Sequence, residues 1–169
     1  EKCCHYFNLM DHIAKERPTR VFASGGQRVN FLDESYEGAK ADMLDSAYVI
    51  LEYPSGKRAM LDLCMFAENT VDKEHISVTG SEGKVESFLP SLEVRHGKRS
   101  AVGNFKQWSH DASKPKVESR KVWDESIKYN GFHYGASYLE HLKFFNAIES
   151  GKGPDVSLED GLRSVASGL

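Results

Sequence analysis

Residues 46–67 have the sequence SAYVILEYPSGKRAMLDLCMFA. Two apolar runs flank Pro54-Ser55-Gly56, a sequence typical of turns, so this stretch predicts a β-hairpin made of Ser46–Tyr53 and Lys57–Ala67. Successive positions in both runs are apolar, whereas a strand with one solvated face alternates apolar and polar residues. We therefore predict a sheet that is covered on both sides, by helices on one face and by a second subunit on the other.

The chain before this hairpin predicts one helix and one strand. Apolar residues at helical spacing predict a helix from Glu1 to Arg17, which Pro18 ends. Thr19–Phe31 is predicted to be a strand interrupted by two glycines, and the polar stretch Asp33–Asp45 is predicted to be a loop.

The chain after the hairpin predicts further strands and then two helices. The predicted strands are His75–Gly80, Lys84–Leu89, Leu92–His96 and Val117–Trp123, with a long surface loop at Arg99–Pro115. Sequences of the capping-box type at Ser137–Glu140 and Ser157–Asp160 predict two helix starts, the first helix ending at Gly151 and the second continuing to Leu169. Strands that are grouped between helices, rather than alternating with them, indicate an α+β domain.

Two nucleotide-binding motifs do not occur in the sequence. No G-x-G-x-x-G follows a predicted strand, and there is no G-x-x-x-x-G-K-[ST]. The chain therefore carries no sequence signature of a dinucleotide-binding fold or of a phosphate-binding loop.

Composition and charge are those of a globular domain. The chain has 169 residues, of which 40% are apolar, and a formal net charge of −3. This length suits one domain, and the composition excludes disorder of the whole chain. The weak negative charge does not favour nucleic acid or an anionic membrane as a partner. The longest apolar runs, Ala47–Leu51 and Leu63–Ala67, are too short to cross a bilayer.

The two ends of the chain predict a longer polypeptide. It starts at Glu1 with neither a methionine nor a signal-peptide pattern, and it ends at Leu169 within a predicted helix. We expect the chain to be a piece of a larger protein.

The cysteines favour a reducing compartment. Cys3, Cys4 and Cys64 are odd in number and two of them are adjacent, unlike the cysteines of a secreted disulfide framework, so we expect a cytoplasmic protein. Cys3, Cys4 and His5 are consecutive, whereas the ligands of a structural zinc site are separated by two or more residues. No metal site is predicted.

The first candidate for chemistry is His5 on the opening helix. A polar stripe runs beside the apolar arc of this helix and consists of Glu1, His5, Asn8, His12 and Glu16. Glu1, one turn before His5, can orient the imidazole and raise its basicity, which would let His5 accept the proton of a substrate hydroxyl. A solvated histidine on an exposed helix face has the same sequence pattern, so the residues alone leave both interpretations open. His12 shares the stripe but lies two turns further along, and a solvated helix histidine is the favoured interpretation there.

The second candidate is His133, within Asn130-Gly131-Phe132-His133-Tyr134-Gly135. Glycines on both sides of an aromatic and imidazole cluster allow close backbone approach, and loops beside helix starts often form binding sites. The alternative is a surface turn that happens to contain a histidine. No G-x-S-x-G nucleophile motif is present.

Four segments, taken in order, resemble the second domain of the Gfo/Idh/MocA oxidoreductases, the family of glucose–fructose oxidoreductase and inositol dehydrogenase. They are Glu1–Met10, Ile76–Val85 with its Gly80-Ser81-Glu82-Gly83 turn, His133–Ile148, and Pro154–Ser167, which is similar to the family's P-x-V-S-x-x-D-G-x-x-S ending. Each segment is weak evidence by itself, but the ordered set is fairly specific and covers nearly the whole chain.

The resemblance implies a parent protein of two domains, of which residues 1–169 form the C-terminal substrate-binding and oligomerisation domain. That domain is α+β, with a large, predominantly antiparallel open sheet and helices packed on one face. The N-terminal domain is a Rossmann fold that binds NAD or NADP and carries a catalytic lysine in an E-K-P motif. Glu1-Lys2 is followed by Cys3 and is not that motif. The cofactor and the lysine are therefore expected outside this chain.

The resemblance also implies roles for individual residues. The family's D-x-x-x-H-x-x-D motif falls on Glu1, His5 and Asn8, so His5 matches the acid/base histidine and Glu1 keeps the charge of the first aspartate. Asn8 replaces the second aspartate by a neutral amide that can only form hydrogen bonds with the substrate. His133 falls where family members often place a substrate-facing histidine, and Tyr134 is assigned to substrate binding with it.

Together these correspondences imply an NAD(P)-dependent oxidoreductase that acts on the CH–OH group of a polyol or sugar-like substrate. The parent is expected to be a homo-oligomer that assembles through the sheet face, and the isolated chain is expected to be inactive. Two other classes stay open. Glu1 and Asn8 in place of two aspartates are compatible with a non-catalytic relative whose sheet serves assembly. A start codon directly before Glu1 would favour a stand-alone α+β ligand-binding module.

Overall fold

The computed structural model describes residues 3–99 and 117–168, and these residues form two compact units. Unit 1 combines the chain up to Ala67 with the chain from Lys143 onward, and unit 2 is Glu68–Leu142. Every strand pair among the described residues is antiparallel. The fold is α+β, as predicted, and contains no Rossmann-like domain in the part that the structure describes.

The bounds of the elements follow the predicted order of one helix, a group of strands and two helices. They are α1 (Cys4–Ala14), β1 (Arg20–Gly26), β2 (Ser35–Tyr36), β3 (Ala39–Lys40), β4 (Ser46–Glu52), β5 (Arg58–Cys64), β6 (Glu74–Gly80), β7 (Gly83–Leu89), β8 (Glu93–Lys98), β9 (Val117–Lys121), α2 (Ala136–Ser150) and α3 (Leu158–Ala166). The short pair β2–β3 lies within the stretch that was predicted to be a loop.

Strand β4 is the centre of the sheet in unit 1. It pairs with β5 on one side, which confirms the predicted hairpin, and with β1 on the other. Its side chains alternate between the two faces. Ala47, Val49 and Leu51 are buried, whereas Tyr48 is 60% exposed and Ile50 40% exposed. Among the described residues α1 covers one face of this sheet, and the second subunit that was predicted to cover the other face stays a prediction.

Helix α1 covers the buried face. Phe7, which is 2% exposed, and Ala14 pack in one core with Leu51, which is fully buried, and with Val49 and Leu61. Burial of each large apolar side chain of this kind contributes about 1.5–3 kcal/mol. This contact places His5, Asn8 and His12 on the side of α1 that faces away from the sheet.

Strand β1 ends at Gly26, earlier than predicted, because the next backbone N–H groups bind a carboxylate instead of a neighbouring strand. Arg28, Val29 and Asn30 donate their N–H groups to Asp45 at 2.9, 2.6 and 2.8 Å. Asp45 is 2% exposed. Burial acts to raise its pKa, but the N–H donors together hold that pKa below its ordinary value.

Unit 2 contains a four-stranded meander in the order β6-β7-β8-β9. Its first hairpin is formed by the strands predicted at His75–Gly80 and Lys84–Leu89, and Gly80 lies opposite Gly83 at the turn. The predicted loop Arg99–Pro115 lies outside the described residues except for Arg99.

The two capping predictions have different outcomes. Ser157 caps α3 as predicted, because its hydroxyl accepts the N–H of Asp160 at 3.2 Å and the Asp160 carboxylate accepts the N–H of Ser157 at 3.0 Å. Ser137 does not cap α2, which begins at Ala136. Its hydroxyl instead forms a hydrogen bond with the ring of His133.

Helix ends also differ from prediction. Helix α1 ends at Ala14 and is followed by Lys15 in the left-handed region with φ of 56°, so the helix stops before Pro18 constrains it. Helix α3 ends at Ala166. Within the described part of the chain, none of the helices is both long and apolar enough to cross a membrane.

Candidate functional site

The polar stripe of α1 presents His5 and Asn8 on the outer side of the helix. Phe7 lies between them in sequence and is buried against the sheet, so its packing fixes the rotation of the helix about its axis. His5 is exposed and Asn8 is half-buried. Glu1, the predicted partner of His5, lies outside the described residues. The structure thus places His5 and Asn8, two of the five stripe residues, on one accessible helix surface.

The C-terminal end of α1 is hydrogen-bonded to the turn between β4 and β5. The ammonium of Lys57 donates to the carbonyl of Ala14 at 2.8 Å and to Oε1 of Glu16 at 2.6 Å, and the N–H of Ser55 donates to Oε2 of Glu16 at 2.9 Å. The Lys57 hydrogen bond, aided by Ser55, lowers the pKa of Glu16 to about 2. A cation at the helix C-terminus is also favourable for the helix dipole. These contacts hold the stripe in one orientation relative to the sheet.

A second tie between helix and sheet is the pair Asp11 and Tyr53. The Tyr53 hydroxyl donates to Oδ1 of Asp11 at 2.9 Å. Burial raises the pKa of Asp11, and the Tyr53 hydrogen bond and the positive charge of Arg163 partly oppose that rise. The pKa of Tyr53 is raised as well, by burial and by donation to Asp11. Asp11 is therefore a partly buried carboxylate that lies about one turn from Asn8.

A cleft of about 300 Å³ lies between α1 and α3 in unit 1. Asn8, Asp11 and His12 line it from α1, and Asp160 and Arg163 line it from α3. The cleft therefore carries hydrogen-bonding groups of both charges, a lining that suits a polar, hydroxyl-bearing molecule better than an apolar one. His5 does not line this cleft.

The His133 loop belongs to unit 2. Nδ1 of His133 and Oγ of Ser137 are 2.8 Å apart, which fixes the plane of the imidazole. Tyr134, half-buried, has a left-handed backbone with φ of 52°. The two predicted substrate residues of this loop are thus held in defined conformations within their own unit.

Sequence reasoning missed Asp11 and Phe132. Asp11 falls inside the apolar arc of α1, and a carboxylate among buried positions is a signal for a specific partner. The partner, Tyr53, is distant in sequence and could not be found from the pattern. Phe132 was noted only as part of the glycine-flanked cluster, although it is 99% exposed.

Metal ligation finds no support in the described side chains. Among residues 3–99 and 117–168 there is no group of three or more histidine, cysteine, aspartate or glutamate side chains placed to hold an ion. A dinucleotide cradle requires a parallel βαβ unit, and the same residues form antiparallel pairs only. The described residues therefore contain no parallel dinucleotide-binding unit.

The fold and the site together define a class of protein. It is an α+β domain of antiparallel sheets in which the first helix lies on the three-stranded sheet of unit 1 and presents a histidine. Residues 1–168 match the model of the oxidoreductase family, C-terminal alpha/beta domain, of the Gfo/Idh/MocA enzymes. The chain belongs to this family, as the resemblance predicted.

Three solved structures with the same fold are named as dehydrogenases or oxidoreductases. UDP-N-acetylglucosamine 3-dehydrogenase from Acidithiobacillus ferrooxidans has a TM-score of 0.69 and 14% identity, covering 98% of this chain and 42% of that one. Levoglucosan dehydrogenase in complex with NADH has a TM-score of 0.68 and 15% identity, covering 98% and 44%. Aldose-aldose oxidoreductase from Caulobacter crescentus, complexed with glycerol, has a TM-score of 0.63 and 16% identity, covering 97% and 41%.

At these identities the likeness shows the fold alone. The chain spans less than half the length of each of these three structures. No curated protein sequence matches it.

Proposed function

We propose that this chain is the substrate domain of an NAD(P)-dependent oxidoreductase that converts a CH–OH group of a polyol or sugar-like substrate into a carbonyl. Family membership supports the reaction class. The names of the three similar structures, which refer to an N-acetylglucosamine derivative, levoglucosan and an aldose, support a sugar-like substrate. The observation that carries the proposal is His5 exposed on a helix whose rotation is fixed by Phe7.

His5 is the base of the proposed reaction. As the carbinol carbon is oxidised, its hydroxyl proton passes to His5, so that the oxygen becomes a carbonyl. General-base catalysis of this kind accelerates a reaction by about 10²–10⁴-fold. A nicotinamide cofactor, bound by the rest of the parent, supplies the hydride acceptor. Glu1 orients the imidazole, and Asn8, His133 and Tyr134 form hydrogen bonds with the substrate.

Several further expectations belong to the same proposal. The cofactor and the E-K-P lysine are provided by a Rossmann domain outside this chain, so the chain alone is inactive. The whole protein is cytoplasmic and has neither nucleic acid nor a membrane as a partner. The upstream sequence gives a direct check, because a Rossmann motif without the lysine would favour a non-catalytic relative.

The experiment that tests His5 uses the full-length protein. Turnover is measured with NAD⁺ and NADP⁺ on a panel of cyclic sugars, alditols and inositols. His5→Ala is expected to lower kcat by about 10²–10⁴. His141→Ala, which removes an exposed histidine on α2, is the matched control and should leave kcat within about threefold of wild type, since it removes no group from the proposed reaction. An undiminished kcat/KM in His5→Ala would exclude the proposed role.

A second function, assembly of a homo-oligomer, is supported by the exposed face of the sheet in unit 1. Phe22, Ile50 and Met60 lie side by side across its three strands and are 47%, 40% and 63% exposed. Tyr48, on the same face, is 60% exposed. Contiguous apolar surface of this kind marks interaction sites. We infer that this face pairs with the same face of a second copy.

A further inference from the structure

The loop before α2 places one asparagine where its side-chain amide can react with the main chain. Asn130 precedes Gly131, and both residues are exposed. Gly131 has no side chain to hinder its backbone nitrogen, and the space that a Cβ would occupy is open. Among the described residues, neither the side-chain amide of Asn130 nor the N–H of Gly131 forms a hydrogen bond. The amide carbon and the nitrogen that can attack it are therefore both open to water.

The other asparagines in the described part of the chain lack this combination. Asn8 and Asn146 lie within helices, where the main chain is held by the helical hydrogen bonds. Asn30 donates its side-chain amide to a main-chain carbonyl at 2.9 Å. Asn69 is followed by Thr70, whose branched side chain crowds the backbone nitrogen. The structure therefore distinguishes Asn130 from each of them.

We propose that Asn130 is a site of spontaneous modification, at which the folded chain loses ammonia and forms isoaspartate and aspartate. The nitrogen of Gly131 gives up its proton and attacks Cγ of Asn130, an intramolecular step that proximity favours. The new N–Cγ bond closes a five-membered imide, and the C–N bond of the side-chain amide breaks as ammonia takes up the proton. Water then opens the imide at Cγ to give aspartate, or at the main-chain carbonyl to give isoaspartate. Water is the only co-reactant, and no group is oxidised or reduced.

The modification changes a contact that closes the loop. The N–H of Gly135 donates to the main-chain carbonyl of Asn130 at 2.6 Å, and His133 and Tyr134 lie within the loop that this bond closes. In isoaspartate the main chain runs through Cγ and is one methylene longer, and the former main-chain carbonyl becomes a free carboxylate. Either product adds a negative charge to a chain whose formal net charge is −3. The reaction thus alters both the length and the charge of the loop, whatever ligand the loop contacts.

The test incubates the folded full-length protein at about pH 6 and about pH 9 and maps its peptides by mass spectrometry. The peptide that contains residue 130 should gain about 1 Da and separate into two isomers. Peptides that contain Asn30 and Asn69 should keep their mass. Conversion should be at least about tenfold faster at the higher pH, because the attacking nitrogen must lose its proton. Labelling by an isoaspartyl carboxyl methyltransferase identifies isoaspartate, which direct hydrolysis of the side-chain amide does not produce.

Two variants serve as controls. Asn130→Gln keeps a side-chain amide but would need a six-membered ring, so it should abolish the isoaspartate signal. Phe31→Gly places a second asparagine–glycine sequence at Asn30, whose side chain is held by the carbonyl of Met65. Phe31 already has φ of 59°, so glycine suits that backbone. This second sequence should react at least about tenfold more slowly than Asn130, because its side chain is restrained.

Circular dichroism during the incubation shows whether the protein stays folded. The proposal would be overturned if residue 130 stays asparagine at the higher pH, or if it yields aspartate without isoaspartate. Equal rates at the two asparagine–glycine sequences, or conversion that begins only after the dichroism signal is lost, would overturn it as well. Because the readout is a mass and not a turnover rate, the result stands whether or not the proposed oxidation is found.

Discussion

The hydroxyl of Tyr53 and the carboxylate of Asp11, 2.9 Å apart, join the strand at the centre of the unit 1 sheet to the helix that presents His5. Tyr53 follows β4 directly and is 4% exposed, so its hydroxyl has exchanged water for this one partner. Because Asp11 is itself partly buried, each group satisfies the other. The pair therefore fixes where α1 sits on the sheet.

Tyr53→Phe should destabilise the fold by about 1–3 kcal/mol at neutral pH, because it leaves Asp11 partly buried without its hydroxyl donor. The substitution should also raise the pKa of Asp11 further, since burial would act without the opposing hydrogen bond. When the folded-state pKa of a carboxyl group is raised, protonation stabilises the folded chain. The variant has the higher Asp11 pKa, so its loss of stability relative to wild type should shrink as pH falls through that pKa. Urea denaturation near pH 7 and near pH 4 measures both effects.

The control for this variant is Tyr129→Phe, which removes the hydroxyl of a tyrosine that is 73% exposed. It should change stability by less than about 0.5 kcal/mol. Equal effects of the two substitutions would contradict a specific role for the pair of Tyr53 and Asp11.

The ion pair of Glu16 with Lys57 should make the stability of the fold depend on pH in the acid range. Its pKa in the folded chain is about 2, below the ordinary 4.5, mainly because Lys57 donates a hydrogen bond to it. A depressed carboxyl pKa contributes stability above pH 4.5, and this contribution is lost as pH falls toward 2. The melting temperature of Glu16→Gln should therefore lie below that of wild type near neutral pH, and the difference should narrow between these two pH values.

Differential scanning calorimetry over this pH range measures the effect. Glu140→Gln, at an exposed position of α2, is the control and should follow the wild-type curve throughout. A difference between Glu16→Gln and wild type that stays constant with pH would show that the ion pair with Lys57 does not form in solution.

Local signals in the sequence predicted much of the fold. The turn Pro54-Ser55-Gly56 between two apolar runs predicted β4 and β5, and Ser157 predicted the start of α3, because these elements depend on residues adjacent in sequence. Contacts between distant residues account for the misses. β1 stops early because Asp45 takes its following N–H groups, and Ser137 fails as a cap because His133 engages its hydroxyl.

The arrangement of the candidate site could be predicted only in part. Helical spacing placed His5 and Asn8 on one stripe, and the structure shows both on the outer side of α1. The partnership of Asp11 with Tyr53 could not be predicted, because it depends on how the helix is rotated on the sheet. The apolar character of the second sheet face was predicted correctly, and the second subunit that was predicted to cover it stays a prediction.

Substitutions at two neighbouring positions of β4 should differ strongly in their effect on stability, because the two side chains lie on opposite faces of the sheet. Leu51 is fully buried under α1, and Ile50, the residue before it, is 40% exposed on the opposite face. Leu51→Ala should destabilise the chain by about 2–5 kcal/mol. Ile50→Ala should cost less than about 1 kcal/mol, because little buried surface is lost. Chemical denaturation at low protein concentration, where association is weak, compares the two, and similar losses would contradict a core on one side of the sheet only.

The exposed face of the same sheet predicts self-association that depends on its apolar row. Ile50 lies opposite Phe22 on one side and opposite Met60 on the other, so the three side chains form a continuous band. The ion pair of Arg20 with Glu52, at 3.1 Å, adds a polar rim at one end. An apolar centre with a charged rim is the usual composition of an interface between identical subunits, and a two-fold axis would bring the band onto itself.

Met60→Lys should convert a dimer or higher oligomer into monomer, because the substitution buries an unpaired charge at the centre of the interface. Val71→Lys adds the same charge at a position of unit 2 that is 83% exposed, and it should leave the oligomeric state unchanged. Sedimentation velocity of the two variants and the wild type, over a range of protein concentrations, makes the comparison. A wild type that sediments as a monomer even at high concentration would exclude the sheet face as a subunit interface. Dissociation by both variants would show that the effect of Met60→Lys comes from added charge and not from this face.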